Sequence, residues 1–217
     1  MKNLFLFVIA AFLLIPAFAQ DKTAEDFEWG IKFGMTVATQ NYPGRGVGTD
    51  SDIRQLIGPT AGFIFEIPIN SWFEIRPELL YGTQGRRWKG DVPGGRYVQV
   101  ENFGYLQIPV LAKFKHGNEK VTGFVNIGPQ FGVALFGVDR FRFIPDNGEV
   151  QKERSSINFE ATERRRFDAG LDFGLGMECN KTGIEVEARY YLGLADVWDI
   201  PVKATNRSFT LALGWKF

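Results

Sequence analysis

The sequence contains a single cysteine, Cys179, and a single histidine, His116. One cysteine excludes an intrachain disulfide framework and a Cys-rich zinc site, and one histidine excludes a metal centre built from several imidazoles. The 25 basic and 25 acidic side chains leave a formal net charge of +0, so the basic excess typical of nucleic-acid binding is missing. Beyond residue 20 there is no run of 18 apolar residues, and no membrane-spanning helix is predicted. Glycine and phenylalanine are abundant instead, at 25 and 21 residues.

The first residues have the pattern of an export signal. Lys2 precedes a nearly continuous apolar stretch at residues 4–18, which is too short to span a membrane as a helix. Ala17-Phe18-Ala19 then provides a small-x-small cleavage site. We therefore predict a cleavable signal peptide at 1–19 and a mature barrel domain at 20–217; the alternative is a buried N-terminal helix. Export without disulfides indicates the envelope of a Gram-negative bacterium.

Eight later segments alternate apolar and polar residues with a period of two, which is typical of strands that have one apolar face. They centre on residues 27–37, 57–67, 73–81, 106–114, 121–135, 167–177, 184–192 and 209–217. The connections between them are short near 69–71, 117–119 and 180–182, and long near 39–55, 86–101, 136–165 and 195–205.

This alternation of connection lengths predicts an all-β fold, an eight-stranded antiparallel up-and-down transmembrane β-barrel in the outer membrane. The short turns would face the periplasm and the long loops the exterior. A soluble sandwich or lipocalin-like barrel is the alternative, with its apolar face turned inward. The terminal aromatic strand favours the membrane, because Phe217 at its end resembles the signal that the barrel-assembly machinery reads.

If the apolar rows face lipid, the residues between them face the lumen. Eight strands leave an interior just wide enough for side chains to fill, and unpaired buried charge is costly. We therefore predict a plug of mutually satisfying ion pairs and water, with a narrow ion or proton path as the alternative. The predicted network comprises Glu28, Lys32, Glu74, Arg76, Glu78, Lys113, Asp168, Asp172, Glu185, Glu187 and Arg189, and the same face carries Glu66, Arg166, Glu178 and Lys216.

The long connection at 136–165 combines a turn signal with basic residues. Asn147-Gly148 is typical of a hairpin, so the flanking strands are expected to continue above the membrane. The basic residues are Arg140, Lys152, Arg154, Arg164, Arg165 and Arg166. They suit contact with lipid phosphates, or they form a solvated loop balanced by nearby acidic residues.

A catalytic role requires a nucleophile beside a base. His116, Ser71 and Cys179 all fall near predicted periplasmic turns, and no pattern marks any of them as activated. We predict no catalytic residue, no cofactor and no metal site. A lipid-modifying outer-membrane enzyme remains the alternative.

The run Tyr105-Leu106-Gln107-Ile108-Pro109-Val110-Leu111-Ala112-Lys113 resembles the fourth-strand motif of the PorT-like outer-membrane barrels of Bacteroidota. Residues 30–34, 128–132 and 174–178 are similar to glycine-rich motifs on other strands of that family. The resemblance implies a non-enzymatic barrel, structural or accessory to the envelope, with a link to type IX protein secretion. It implies no catalytic residues.

The partners expected from these observations are outer-membrane lipid, the assembly machinery during biogenesis, and an envelope or secretion-system protein. The barrel is expected to be a monomer without a nucleic-acid partner. A narrow passive pore is the other functional alternative.

Overall fold

The computed structural model describes residues 27–42, 51–200 and 203–217, without the side chains of 51–53. The predicted signal peptide at 1–19 lies outside these residues. The described chain forms ten strands: β1 Glu28–Asn41, β2 Ser51–Arg54, β3 Leu56–Asn70, β4 Phe73–Val92, β5 Gly95–Gly117, β6 Val121–Pro145, β7 Gln151–Ser156, β8 Phe167–Cys179, β9 Ile184–Gly193 and β10 Thr205–Lys216. Among these residues there is no helix with the length and apolar character to cross a membrane.

Eight of the strands close into a ring. The order is β4-β3-β1-β10-β9-β8-β6-β5, and β5 pairs with β4 to complete the circle. Every neighbouring pair is antiparallel, including the closing pair of β1 and β10, whose register runs from Gly30–Lys216 to Asn41–Thr205. The predicted eight-stranded up-and-down barrel is confirmed, and β2 and β7 are additional strands beside it.

The two ends of the barrel differ. At one end, which we call the turn end, lie the short connections at 71–72, 118–120 and 180–183 together with Phe217. The opposite end, the hairpin end, carries the β4–β5 turn and the β6–β7 hairpin. There the predicted long loop at 86–101 is wrong, because β4 and β5 stay paired as far as Val92 and Gly95. The chain turns at residues 93–94, and Gly94 has a φ of 88°, a left-handed conformation that glycine adopts readily.

The expectation that strands continue above the membrane within 136–165 is confirmed. Strand β6 continues to Pro145, and β7 folds back onto it with Arg140 opposite Arg154. Gly148, in the bend between them, has a φ of 123°. The Asn-Gly turn signal therefore did mark a hairpin, and strands β2, β4, β5, β6 and β7 extend the wall beyond the ring.

The two faces of the wall have opposite character. Outward side chains are apolar and exposed, as in Leu175 at 64% and Met177 at 63%, whereas the lumenal Glu66, Glu78 and Asp172 are each 0% exposed. A soluble barrel requires the reverse arrangement, because its apolar face must leave water. The structure contradicts the soluble alternative.

Aromatic rings border the apolar band. At the turn end, Trp29 and Phe217 have ring centroids 4.8 Å apart, and Trp72 stacks on Phe114 at 6.0 Å. Toward the hairpin end, Tyr81 and Phe136 stack at 6.4 Å. Such girdles mark the two membrane–water interfaces of outer-membrane barrels, so the membrane-spanning part of the wall lies between them.

Candidate functional site: the charged lumen

Arg76 occupies the centre of the lumen. It projects inward from β4 and is 0% exposed. Its Nε donates to Glu78 Oε1 at 2.9 Å, and its Nη1 donates to Glu66 Oε1 at 3.2 Å and to Glu185 Oε2 at 2.9 Å. Glu185 belongs to β9, four places from β4 in the ring of eight. Arg76 therefore joins opposite walls of the barrel.

Arg189 and Lys32 form a second set of bridges toward the hairpin end. Arg189 on β9 donates to both oxygens of Glu78 at 2.7 and 2.8 Å. Lys32 on β1 contacts Glu78 at 2.7 Å and Glu187 at 2.5 Å. All four side chains have at most 7% exposure. Since each carboxylate here meets at least two cations, the charges neutralise one another.

A third set lies nearer the turn end. Lys113 Nζ is 2.5 Å from Glu66 and 3.3 Å from Glu178, and Lys216 Nζ is 2.6 and 2.7 Å from the same two carboxylates. Strands β5 and β10, which carry these lysines, are also opposite in the ring. The outermost members of this set are Glu28, which contacts Lys216 at 2.8 Å, and Glu74, which contacts Lys113 at 3.4 Å and also pairs with Lys115.

Glycine makes room for these carboxylates. A Cβ at Gly214 would lie 2.6 Å from Glu185 Cγ, and one at Gly174 would lie 2.6 Å from Glu187 Oε1. Both contacts are too close for real side chains, so larger residues would displace the two glutamates from their cations. The lumenal glycines thus contribute space for the ion pairs.

Asp172 and Asp168 are less well satisfied. Asp172 is 0% exposed, and among the described residues neither of its oxygens has a hydrogen-bond partner, although Arg189 Nη1 is 3.8 Å away. Asp168 accepts a 2.8 Å bond from Asn206 Nδ2. Asp172 lines a narrow cavity together with uncharged polar side chains such as Gln130 and the charged Lys32, Glu187 and Arg189. Buried acceptors of this kind are normally satisfied by water.

A group of paired side chains lies at the hairpin end of the barrel. Arg86 and Arg164 both bond to Glu101, and Arg164 Cζ lies 4.2 Å from the centroid of Trp198 and 4.4 Å from that of Phe103. Burial lowers the pKa of Arg164, and the Glu101 carboxylate opposes that change. Arg164, which precedes β8, is therefore held against both β5 and Trp198.

The structure brings the eleven predicted network residues to the lumenal side of the wall, with Glu28 at its rim. Arg166 is placed differently: it is exposed and donates to the carbonyl oxygen of Ala134. Its lumenal assignment is wrong because β8 begins one residue later, at Phe167. Sequence reasoning missed Lys115 and the Arg86–Glu101–Arg164 group. Lys115 follows Lys113 by two residues, which was a usable signal.

Three carboxylates, those of Glu66, Glu178 and Glu185, approach within 4.8 Å of one another. In a different setting this cluster would suit a hard cation. Here Arg76, Lys113 and Lys216 already contact the three groups, so their charges are neutralised by the chain itself. The arrangement does not fit a metal site.

The candidate catalytic side chains are dispersed at the turn end. His116 and Cys179 belong to the two neighbours of β6, in register with Gly123 and Val121 respectively. Two strand spacings, about 9–10 Å, separate them across the sheet, and an offset of two residues adds about 6–7 Å along the strands. Within the described chain, the His116 imidazole has no hydrogen bond to a hydroxyl or thiol. His116 and Cys179 therefore do not form a nucleophile–base pair.

The profile of the family described as Outer membrane protein beta-barrel domain matches residues 18–199. The chain belongs to this family. Membership of this family and the outward-facing apolar side chains both identify an outer-membrane barrel. No curated protein matches the sequence.

Several solved barrels are similar in structure to this family member. Ail of Yersinia pestis, solved with the heparin analogue sucrose octasulfate, is 15% identical with a TM-score of 0.43, over 88% of this chain and 99% of that one. OprG from Pseudomonas aeruginosa is 12% identical with a TM-score of 0.43, over 88% and 95%. The outer membrane enzyme PagL is 11% identical with a TM-score of 0.37, over 85% and 98%. At such values the likeness carries no argument about function.

Proposed function

We propose that this protein is a closed, non-catalytic outer-membrane barrel that serves as a rigid structural or accessory component of the envelope. The observation that carries the proposal is the set of buried bridges across the lumen, in which Arg76, Arg189 and Lys113 reach carboxylates on other strands. A conducting pore needs a continuous water path, and bridges that cross the lumen between strands support a closed state. Breaking such pairs leaves buried charge unpaired at a high cost, which favours a rigid interior.

Planar-bilayer recording tests the closed state. We expect the purified barrel to give no reproducible conductance steps. The double variant Lys113→Ala, Arg189→Ala removes two bridges and is expected to conduct. A matched control, Arg96→Ala with Lys120→Ala, removes two exposed cations outside the lumen and should stay silent. Folding of each variant is checked by its heat-dependent mobility on gels. Stable steps from the unaltered protein would reject the closed lumen in favour of a passive pore.

We propose further that the chain belongs to the PorT-like branch in Bacteroidota and supports type IX secretion. The support is the run Tyr105–Lys113, now seen on β5. Pairing of β4 with β5 is interrupted between Pro77–Val110 and Leu80–Gln107, beside Pro109, which has no backbone N–H to donate. Four residues further, Lys113 enters the ion-pair set.

A deletion strain tests this second proposal. Loss of type IX cargo from the cell surface, restored by the intact gene, is the expected result. Unchanged cargo export in the deletion strain would refute it. A deletion that alters general envelope integrity without a secretion defect would leave the closed barrel as a structural component alone.

A further inference from the structure

Beyond the ring, the outward face of the extended wall is basic instead of apolar. The registers of β4 through β7 place its outward side chains in two rows across the strands. The first row is Arg87, Val100, Arg140 and Arg154, and the second is Lys89, Val98, Arg142 and Lys152. Six of these eight side chains are cationic.

Four of the cations form two directly opposed pairs. Arg140 stands opposite Arg154, and Arg142 stands opposite Lys152, on β6 and β7. Opposed side chains have Cβ atoms about 4.5–5.5 Å apart, and like charges at that spacing repel. All four are exposed, and no carboxylate of the described residues lies within ion-pairing distance of any of them. We call these four residues the hairpin cation patch.

Other basic residues of the same segment are neutralised within the chain. Arg164 bonds to Glu101, and Arg165 bonds to Asp199 at 2.9 Å. The lone acidic residue of β7, Glu153, pairs in register with Phe141 and so faces the other side of the sheet. The repulsion within the patch is therefore left for an external anion to relieve.

The position of the patch identifies that anion. The hairpin cation patch lies on the same outward side of β6 as the lipid-facing residues. Phe136, an exposed residue on that side, belongs to the aromatic girdle toward the hairpin end. Arg140 follows Phe136 by four residues, or about 13 Å along an extended strand. Strand tilt of about 35–45° reduces this to about 10 Å along the membrane normal. Long cationic side chains at that height reach the level of lipid headgroups, where phosphate is the anion present.

We propose that Arg140, Arg142, Lys152 and Arg154 bind the phosphate groups of anionic lipid in the outer leaflet, and so dock the β6–β7 hairpin on the membrane surface. Arginine suits phosphate because its planar fork donates two parallel charge-assisted hydrogen bonds. The inference goes beyond the closed-barrel function and does not depend on it, since a conducting lumen would leave this outer face unchanged.

Native mass spectrometry of the detergent-solubilised full chain tests the site. The probes are lipid A carrying two phosphates, the same lipid without phosphates, inorganic phosphate, and a sulfated oligosaccharide. We expect binding of the bisphosphorylated lipid and little binding of the dephosphorylated one. The variant Arg140→Gln, Arg142→Gln, Lys152→Gln, Arg154→Gln should lose affinity by about tenfold or more.

A matched variant removes the same number of exposed cations elsewhere: Arg96→Gln, Lys120→Gln, Arg165→Gln, Lys181→Gln. It should bind lipid as the parent does, and both variants are first shown to be folded by heat-dependent gel mobility. Equal lipid binding by the two variants would overturn the proposal. Tighter binding of the sulfated oligosaccharide than of the lipid would overturn it in favour of a glycan, and equal binding of inorganic phosphate would reduce the patch to a free-anion site.

Discussion

Replacing Arg76 by methionine is the most direct perturbation of the lumenal network. The substitution keeps an unbranched side chain and removes the charge. Of the three carboxylates that Arg76 bonds, Glu66 keeps Lys113 and Lys216, and Glu78 keeps Lys32 and Arg189. Glu185 has no other cation within ion-pairing distance among the described residues. It would be left as a buried, unpaired anion.

Removing one partner of a buried pair costs about 3–5 kcal/mol, and we expect Arg76→Met to lower the free energy of unfolding by about that amount. The double variant Arg76→Met, Glu185→Gln removes the stranded charge as well and should recover a large part of the loss. Arg96→Met provides the exposed control, because Arg96 and Asp91 form an ion pair with side chains 62% and 79% exposed. That variant should match the parent.

Urea titration of the barrel in lipid vesicles, followed by tryptophan fluorescence, measures these differences. The reasoning fails if Arg76→Met and Arg96→Met unfold at the same urea concentration, because burial would then have no bearing on the cost. It also fails if the double variant is less stable than Arg76→Met, since Glu185 would not be the stranded group.

Three further predictions concern the wall and its ends. Phe173→Arg puts a charge on the lipid face near the midplane and should lower the free energy of unfolding by about 2–4 kcal/mol. Asp172→Asn, one residue away on the lumenal face, should lower it less. Equal losses for the two variants in the vesicle assay would mean that the two faces are wrongly assigned. In a Cys179→Ser background, a cysteine that replaces Gly148 should react with an impermeant thiol reagent on intact cells, and one that replaces Asn118 should not. The opposite labelling would mean that the barrel has the reverse orientation in the membrane. Phe217→Ala removes a ring that packs 4.8 Å from Trp29 and the expected assembly signal, so less barrel should reach the folded form in cells, and an unchanged folded fraction would assign the signal elsewhere.

The membrane-spanning part of the fold followed from the sequence because lipid and lumen impose opposite demands on successive residues. That alternation identified all eight ring strands. The alternation of apolar and polar residues stops at the edge of the membrane. Beyond it the outward face is basic, at Arg87, Lys89, Arg140 and Arg142. The alternation is lost there, and the paired strands at 86–101 were interpreted as a loop.

The lumenal positions followed from the same alternation, but the pairing of charges did not. Arg76 contacts Glu185 across the barrel, and the two residues are far apart in the chain. Whether the two side chains are in contact depends on the register between strands, and the period-two pattern within one strand carries no information about that register. The Arg86–Glu101–Arg164 group depends on where a connecting segment folds, and residue spacing gave no signal for it.

The seam between the first and last ring strands links barrel assembly to charge neutralisation. Lys216 on β10 reaches across that seam to Glu28 on β1 and Glu66 on β3. Lys32 on β1 bonds to Glu187 on β9, on the far side of β10. Until residues 205–216 have been synthesised, β1 has an open edge, Glu28 has no cation beside it among the described residues, and Glu66 has only Arg76 and Lys113 of its three cations. Pairing β10 with β1 therefore also completes the ion pairs at the turn end, and a chain truncated before β10 is expected to be less stable.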